Sequence, residues 1–188
     1  MYNTFLSAKH GVRIAAVSEE DRKLAEELVE LDKKEQKILQ MTHLVESDLP
    51  AERVEGKYRT VCVDDFKKGR TFQYLLDVHP SSMEQERIKT VFLSARTIFV
   101  NAVMGLMPAY SDGSQSLYRL IWANRSALKL FGGGDTLQEL RNLCPGIYMS
   151  GLDDPGTYYF TGGGSVLTAI EQGSPYGLKP VEVLMNAE

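Results

Sequence analysis

Two runs of three glycines, Gly132–Gly134 and Gly162–Gly164, raise the question of phosphate binding in this sequence. The second run continues through Ser165 into a segment that is typical of a helix, and a helix N-terminus presents free backbone amides to an anion. Neither run matches a P-loop or a dinucleotide fingerprint, because no Lys-Ser or Lys-Thr pair follows and no strand leads into a GxGxxG pattern. The sequence therefore favours flexible loops or helix caps, with an anion cradle at Gly162–Ser165 as the alternative.

Other residue types that carry chemistry stand alone in the sequence. The three histidines lack a partner at the spacing of a metal site or a general base: His10, His43 and His79. Cys62 and Cys144 belong to no CxxC or Cys/His pattern, so neither a zinc site nor a disulfide framework is indicated. We predict no catalytic, cofactor-binding or metal-ligating residue and expect a protein without enzymatic activity. The sequence does not identify a cofactor.

The composition describes a folded protein without a strong net charge. Of the 188 residues, 43% are hydrophobic, and 25 acidic against 21 basic residues give a net charge of -4. This chain is too apolar for a disordered protein, and its weak negative charge argues against nucleic-acid binding. Its most apolar segment is interrupted by Arg96 and Pro108 before about 20 residues accumulate, so we predict no membrane span.

The N-terminal segment bears on the location of the protein in the cell. Residues 1–17 lack the continuous apolar core of a secretory signal, which favours a cytoplasmic location. The segment also contains Lys9 and Arg13 and no acidic residue before Glu19, a pattern that resembles an organelle presequence. A mitochondrial or other organellar location is therefore the alternative.

The first half of the sequence predicts a long charged helix. Ser18 and Asp21 are suited to cap a helix over residues 19–46. Its apolar residues lie on a heptad seam: Leu24, Leu28, Leu31, Ile38 and Val45. Glu35 and Thr42 interrupt this seam. A solvated helix packed on its own domain and a dimeric coiled coil both satisfy the pattern.

A second long helix is predicted over Met83–Met104, where apolar residues recur at steps of three and four. One stripe of this helix has enough apolar area to pack on a sheet. Four further apolar residues need a second cover: Leu93, Val100, Val103 and Met104. We predict that these four form an interface with a second copy, as a homodimer, or with a larger protein assembly. The N-terminal helix is the alternative cover.

Between the two helices, β-branched and aromatic runs joined by "DDFKKG" predict a β-hairpin over Tyr58–Val78. We expect this hairpin to lie in the same sheet as a strand over Leu117–Ala123. A sheet with an uncovered apolar edge would aggregate, so the hairpin is expected to complete that sheet.

The last two-fifths of the chain has a distinctive order of elements. A strand ends in Asn124, a short helix over residues 125–131 ends before Gly132, another short helix and a loop follow, and a helix that ends at Gly173 precedes the final strand "LKPVEVLM". This order over residues 109–188 resembles a PAS domain. The resemblance implies that Asn124 closes a strand and caps the following helix with its side-chain oxygen.

The resemblance implies an α+β fold in which an antiparallel sheet is covered by short helices and flanked by two longer helices. We expect residues 1–56 to form an N-terminal helical extension and residues 57–188 to form the PAS-like domain, including hairpin 58–78 and helix 83–104. The family needs two more strands than residues 109–188 supply. The predicted hairpin supplies them, unless the chain is a fragment.

A PAS-like domain also implies a ligand pocket between the sheet and the short helices. The candidate lining residues are Leu120, Trp122, Leu128, Leu140 and Ile170. The simpler interpretation is that these residues fill a solid core. The function that follows is a non-enzymatic sensory or interaction module in signalling, which acts through helix-mediated dimerisation or partner docking. The alternative is a structural accessory subunit of a larger assembly, such as an organellar one.

Overall fold

The computed structural model describes residues 2–186 as an α/β chain. The helices are α1 (Tyr2–His10), α2 (Glu19–Glu35), α3 (Glu86–Ser94), α4 (Asp112–Ala123), α5 (Gly134–Leu143), α6 (Pro145–Leu152), α7 (Gly163–Glu171) and α8 (Lys179–Met185). The strands are β1 (Arg13–Ile14), β2 (His43–Ser47), β3 (Tyr58–Cys62), β4 (Thr71–Phe72), β5 (Tyr74–Val78), β6 (Thr97–Val100), β7 (Leu128–Gly132) and β8 (Thr157–Phe160). Within residues 2–186, no helix is both long and apolar enough to cross a membrane.

These elements form two compact units. The first comprises the described residues up to Leu93 together with Met104–Leu120, and the second comprises Ser94–Val103 and the described residues from Ile121 onward. The predicted division of the chain at residue 57 is not one of these boundaries and stays a prediction.

The first unit is built around a three-stranded antiparallel sheet in the order β3-β2-β5. The central strand β2 pairs with both neighbours, and the pairing with β5 has a bulge between Val45 and Glu46. β1 and β4 form a separate short parallel pair. The predicted hairpin over Tyr58–Val78 is wrong, because β3 and β5 each pair with β2 and not with each other.

The first long helix is shorter than predicted. α2 ends at Glu35, where Gln36 adopts a left-handed conformation with a φ of 51° and donates its amide to the carbonyl of Asp32. The predicted continuation to residue 46 is wrong, because the chain enters β2, the central strand of the sheet. Ser18 is confirmed as the N-terminal cap, since its Oγ accepts a hydrogen bond from the amide of Asp21 at 3.1 Å.

The predicted helix over Met83–Met104 is wrong, because the structure divides it into α3 and β6. A strand of a parallel sheet is generally covered on both faces, so its composition is as apolar as that of a buried helix. The predicted interface residues therefore share no helix face: Leu93 lies on α3, Val100 is buried in β6, and Val103 and Met104 lie in the loop after β6. Docking to a protein partner stays a prediction.

The second unit contains a three-stranded parallel sheet in the order β6-β7-β8. Val100 lies opposite Phe131 in this sheet, and Gly132 lies opposite Phe160. Helices precede β7 and β8 in the chain, and crossover connections of this kind produce parallel strands. The predicted fold class is therefore wrong: the sheet at the end of the chain is parallel, whereas a PAS-like sheet is antiparallel.

In three elements of the predicted PAS-like region, the structure has a helix where a strand was predicted or a strand where a helix was predicted. The predicted strand over Leu117–Ala123 belongs to α4, the predicted helix over residues 125–131 contains most of β7, and the predicted final strand is α8. In α4 the buried residues Leu117, Tyr118 and Ile121 recur at the three- and four-residue steps of a helix. The aromatic and aliphatic composition of this segment led to the strand prediction, and its period indicated the correct element.

Asn124 lies in the turn between α4 and β7, with 4% of its surface exposed. Its Oδ1 accepts hydrogen bonds from the amides of Ser126 and Ala127 at 3.2 and 3.1 Å, and its Nδ2 donates to the carbonyl of Ala95 at 2.9 Å. The prediction that Asn124 caps a helix is wrong, because the amides that it binds lead into a strand. Its side chain instead joins the start of β7 to the segment before β6.

We predict that Asn124→Ala lowers the free energy of unfolding by about 1 to 3 kcal/mol, because the change leaves the buried amide of Ala127 and the carbonyl of Ala95 without this partner. Chemical denaturation followed by circular dichroism measures the difference from the wild type. Asn142→Ala is the matched control, since Asn142 is exposed on α5 and its replacement is expected to cost less than about 0.5 kcal/mol. Equal small effects in the two variants would contradict the role of Asn124.

Candidate functional site

The carboxyl ends of β6, β7 and β8 lie at one edge of their sheet, because the three strands are parallel. Asn101 follows β6, Gly133 follows β7, and Gly162 follows β8 after one residue. The amide of Gly133 donates to the carbonyl of Phe160 at 3.0 Å, which joins the ends of β7 and β8. Both glycine runs of the sequence therefore reach the same edge.

The side chain of Asn101 lies against the backbone of both glycine runs. A Cβ on Gly163 would stand 2.0 Å from Asn101 Oδ1 and 3.0 Å from the nitrogen of Gly133, and a Cβ on Gly133 would stand 2.9 Å from the same Oδ1. Gly133 also has a φ of 95°, a conformation that residues with a side chain rarely adopt. We call this arrangement of Asn101, Gly133 and Gly163 the glycine edge.

Two helices begin at the glycine edge. α5 starts directly after Gly133 and α7 directly after Gly162, and these two cap residues have no side chain that accepts a hydrogen bond from the first-turn amides. A Cβ on Gly134 or Gly164 would meet nothing within 4 Å, so space beside both first turns is open. Two helix N-termini, each with amides that lack an intrahelical acceptor and with a positive partial charge, therefore adjoin open space.

The N-terminus of α4 shows how the first unit satisfies such amides. Asp77 is buried, and its Oδ2 accepts a hydrogen bond from the amide of Gly113 at 3.1 Å. Burial raises the pKa of Asp77 above its ordinary value, while the hydrogen bonds from the amides of Gly113 and Val78 oppose this rise. α4 thus has an internal carboxylate partner, whereas α5 and α7 begin after glycine caps that provide no side-chain acceptor.

The glycine edge is suited to hydrogen bonding with a phosphate group. The donors beside it are the first-turn amides of α5 and α7 and the amide group of Asn101, since the amide of Gly133 is already bonded to the carbonyl of Phe160. Asp135 places one acidic residue in the first turn of α5. Phosphate binding at helix N-termini needs no further cation, because the amides and the helix dipole together favour a negative charge. Among residues 2–186, the structure places no group of three or more His, Cys, Asp or Glu side chains where they could hold a metal ion.

The sheet beside the glycine edge carries an aromatic pair. Phe99 and Phe160 stack with ring centroids 6.1 Å apart and an interplanar angle of 8°. A Cβ on Gly132 would stand 2.6 Å from Phe160 Cε2 and 3.1 Å from Phe99 Cε2. Gly132 is therefore required by the packing of these rings, whereas Gly133 and Gly163 are required by the approach of the Asn101 side chain to their backbones.

The charged groups of this sheet lie near its opposite edge. Lys129 is buried near the start of β7, where its Nζ donates to the carbonyl of Ala127 at 3.1 Å and lies 3.9 Å from Asp154 Oδ2. A hydrogen bond from the hydroxyl of Thr157 lowers the pKa of Asp154. Lys129 and Gly133 are four residue steps apart in extended chain, about 13 Å, so the Lys129–Asp154 pair lies at the far side of the sheet from the glycine edge.

The five predicted pocket residues lie in different surroundings. Leu120 and Trp122 belong to α4, Leu128 to β7, Leu140 to α5 and Ile170 to α7. Leu140 is fully buried, whereas 63% of the surface of Ile170 is exposed. Trp122 lines a cavity of about 390 Å³ with Arg125, and Ile170 lines a different groove on α7. The five were grouped on the basis of an antiparallel sheet, and without that sheet no common pocket follows.

Both glycine runs were considered at the level of the sequence, but no phosphate-binding residue was predicted there, and Asn101 was not considered. The signal that could have identified it is the run "TIFVN", in which a buried strand is followed at once by a polar residue. Polar residues at the carboxyl ends of parallel strands commonly form ligand sites. The prediction of one continuous helix over Met83–Met104 obscured this signal.

Sequence comparisons identify relatives along nearly the whole chain. A family model described as phosphoglycerate kinase matches residues 1–173. The phosphoglycerate kinase of Thermus thermophilus is 30% identical over 183 residues, which cover 95% of this chain and 43% of that protein. The phosphoglycerate kinase of Dictyoglomus turgidum is 33% identical over 98 residues, which cover 51% of this chain and 22% of that protein. The chain thus spans less than half the length of these relatives.

A solved structure shows the same fold. The structure of phosphoglycerate kinase from Coxiella burnetii superposes with a TM-score of 0.68, covers 92% of this chain and 42% of that chain, and is 21% identical. At this level of identity the likeness concerns the fold. It agrees with the parallel α/β arrangement of the second unit.

These matches correct the functional interpretation of the sequence. The PAS-like resemblance of residues 109–188 is wrong, and so are the non-enzymatic sensory or signalling module and the accessory subunit that were inferred beside it. The expectation of a protein without enzymatic activity is also wrong, because the matched family consists of kinases. A match that covers residues 1–173 of 188 shows that the chain belongs to the phosphoglycerate kinase family.

Proposed function

We propose that this chain supplies the phosphate-binding part of a phosphoglycerate kinase and that the glycine edge binds phosphates of the nucleotide that exchanges a phosphoryl group with phosphoglycerate. The observation that carries the proposal is the convergence of two helix N-termini with glycine caps beside Asn101. Kinases need such a site, because their substrates present several negatively charged oxygen atoms to the protein.

The chemistry of phosphoryl transfer explains why backbone amides suit this task. The transferred group carries negative charge on its oxygen atoms throughout the reaction, and donors fixed in advance stabilise that charge without reorganisation. The amides in the first turns of α5 and α7 are fixed by the helices that follow them. Asn101, held between Gly133 and Gly163, keeps the two N-termini at their separation.

The extent of the match defines the scope of the proposal. The relatives are more than twice as long as the part matched here, since this chain covers 43% of the Thermus thermophilus protein. Turnover of nucleotide and phosphoglycerate is therefore a proposal for this chain, because the match spans less than half of the length of that relative. Family membership supports the cytoplasmic location, which we retain in the proposal, and the organellar alternative stays a prediction.

Gly163→Ala is predicted to weaken the binding of inorganic pyrophosphate at least about tenfold, a loss of about 1.4 kcal/mol. The new Cβ would stand 2.0 Å from Asn101 Oδ1 and would force the glycine edge apart. Isothermal titration calorimetry measures the change. Gly146→Ala on α6 is the matched control, because Gly146 lies outside the glycine edge and a Cβ there also meets nothing within 4 Å, so this variant should bind as the wild type does. Equal affinity in the two variants would place the anion elsewhere.

Asn101→Asp is predicted to weaken the binding of Mg·ATP more than Asn101→Ala, because the carboxylate keeps the shape of the side chain and adds a negative charge beside the phosphates. Equilibrium dialysis of labelled Mg·ATP measures the affinities. Asn142→Asp makes the same charge change at an exposed position of α5 and should leave binding unchanged.

Two outcomes of the Mg·ATP experiment count against the proposal. Equal affinity of Asn101→Asp and the wild type would remove the phosphates from the neighbourhood of Asn101. A wild-type chain that binds pyrophosphate but no Mg·ATP at any concentration would retain the anion site and overturn its assignment to a nucleotide. ADP formation in the presence of phosphoglycerate is the further readout of transfer.

A further inference from the structure

The chain turns directly after β5, at His79–Ser82, and the ring of His79 caps this turn. Pro80 begins one turn of 3-10 helix over Pro80–Ser82, and a residue before a proline favours the extended conformation that a helix cap requires. The amide of Ser81 donates to His79 Nδ1 at 3.3 Å, and Ser81 Oγ lies 2.8 Å from the same nitrogen. We call the segment His79–Ser82 the capped turn.

The hydrogen bond from the Ser81 amide defines the protonation state of His79. A backbone amide can only donate, so Nδ1 is the unprotonated nitrogen, and the ring is neutral with its proton on Nε2. A proton on Nδ1 would turn this acceptor into a donor. The hydroxyl of Ser81 can rotate to accept from a protonated ring, but the amide cannot. The capped turn therefore requires a neutral His79.

Ser82 connects the capped turn to the central strand β2. It is fully buried, and its Oγ accepts from the amide of His43 at 2.8 Å and donates to the carbonyl of His43 at 2.9 Å. The amide of His79 donates to the same carbonyl at 3.0 Å. His43 is the first residue of β2, so both ends of the capped turn bind the start of the strand at the centre of this sheet.

The surroundings of His79 favour the neutral ring. Burial and the neighbouring His43 lower the pKa of His79 below 6.5, and Arg53 acts in the same direction. Asp112 on α4 and Glu84, which follows the capped turn, raise the pKa but do not restore its ordinary value. The unfolded chain therefore takes up this proton more readily than the folded chain. The stability that the cap contributes is complete above pH 6.5 and is lost as the pH falls through the lowered pKa of His79.

We propose that the capped turn is a pH-sensitive latch, which binds the start of β2 at neutral pH and releases it in mildly acidic solution. Protonation of His79 Nδ1 removes the acceptor of the Ser81 amide and adds a positive charge beside His43. The turn then opens, and Ser82 Oγ leaves the amide and the carbonyl of His43. All of these residues belong to the first unit and none to the glycine edge, so the latch is independent of the proposed phosphate site.

Nuclear magnetic resonance of the full chain at a series of pH values tests the latch. The nitrogen chemical shifts of the ring report which nitrogen carries the proton, and the protection of amides against hydrogen exchange reports the opening of the turn. From about pH 8 to about pH 5, the amides of Ser81 and His43 are expected to lose protection together, at the midpoint of the His79 titration. A proton on Nδ1 at about pH 8 would overturn the proposal, as would amide protection that does not follow the titration.

His79→Asn separates the cap from its charge. An asparagine Oδ1 accepts from the amide two residues on, as Nδ1 does here, but it does not titrate. This variant is expected to keep the Ser81 amide protected over the whole pH range. His10→Asn is the matched control, because it removes a histidine at the end of α1 and leaves the capped turn intact, so its Ser81 amide should lose protection as in the wild type. The latch is refuted if His79→Asn loses this protection over the same pH range as the wild type.

His43→Gln tests the contribution of the neighbouring ring. Without the imidazole of His43, the pKa of His79 should rise, and the Ser81 amide should lose its protection at a higher pH than in the wild type. An unchanged midpoint would contradict the role of His43 in the latch.

Discussion

The close approach of Asn101 to the backbones of Gly133 and Gly163 is the constraint on which the second unit depends. The three residues follow three different strands, and the contact is short enough that one added Cβ would stand 2.0 Å from Asn101 Oδ1. The parallel register brings the strand ends to one level, and the absence of side chains allows the segments to meet there. The positions of α5 and α7 follow, because each helix begins directly after a glycine of this edge.

The glycine runs combine residues that serve different physical purposes. Gly132 makes room for two aromatic rings, Gly133 adopts a positive φ, and Gly163 allows a side chain to touch its backbone. A Cβ on Gly134 or Gly164 would meet no atom within 4 Å. Glycine at these two positions leaves the helix N-termini open. A run of three identical residues therefore combines packing, backbone conformation and access to the site.

The sequence predicted local features better than it predicted the fold. The cap at Ser18 and the helix before Gly173 were correct, because capping and helix termination depend on neighbouring residues. The strand β6 was predicted as part of a helix, because a buried parallel strand has no alternating pattern that distinguishes it. The separation of β3 and β5 by β2 depends on pairing between distant segments, which a single sequence does not encode as a local signal.

For the site too, the sequence indicated local features but not their arrangement in space. Both glycine runs were considered, but flexible loops or helix caps were favoured, and only the run Gly162–Gly164 kept an anion cradle as the alternative interpretation. What distinguishes a cradle from a flexible loop is that Gly133 and Gly163 lie at one edge with Asn101 between them, and this depends on the order β6-β7-β8. Asn124 was assigned to a family motif that the fold does not contain, whereas its actual bonds join two segments that are distant in the sequence.

The bare helix N-termini of α5 and α7 also affect the thermodynamics of the whole chain. Glycine caps leave first-turn amides without the internal partner that Asp77 provides for α4, and the free protein gives up the stability that such caps contribute. A phosphate bound at the glycine edge associates with the folded chain and not with the unfolded one, so it shifts the folding equilibrium by mass action. If phosphate binds there as proposed, the melting temperature of the chain rises with the phosphate concentration of the buffer and is higher in phosphate than in chloride at the same ionic strength.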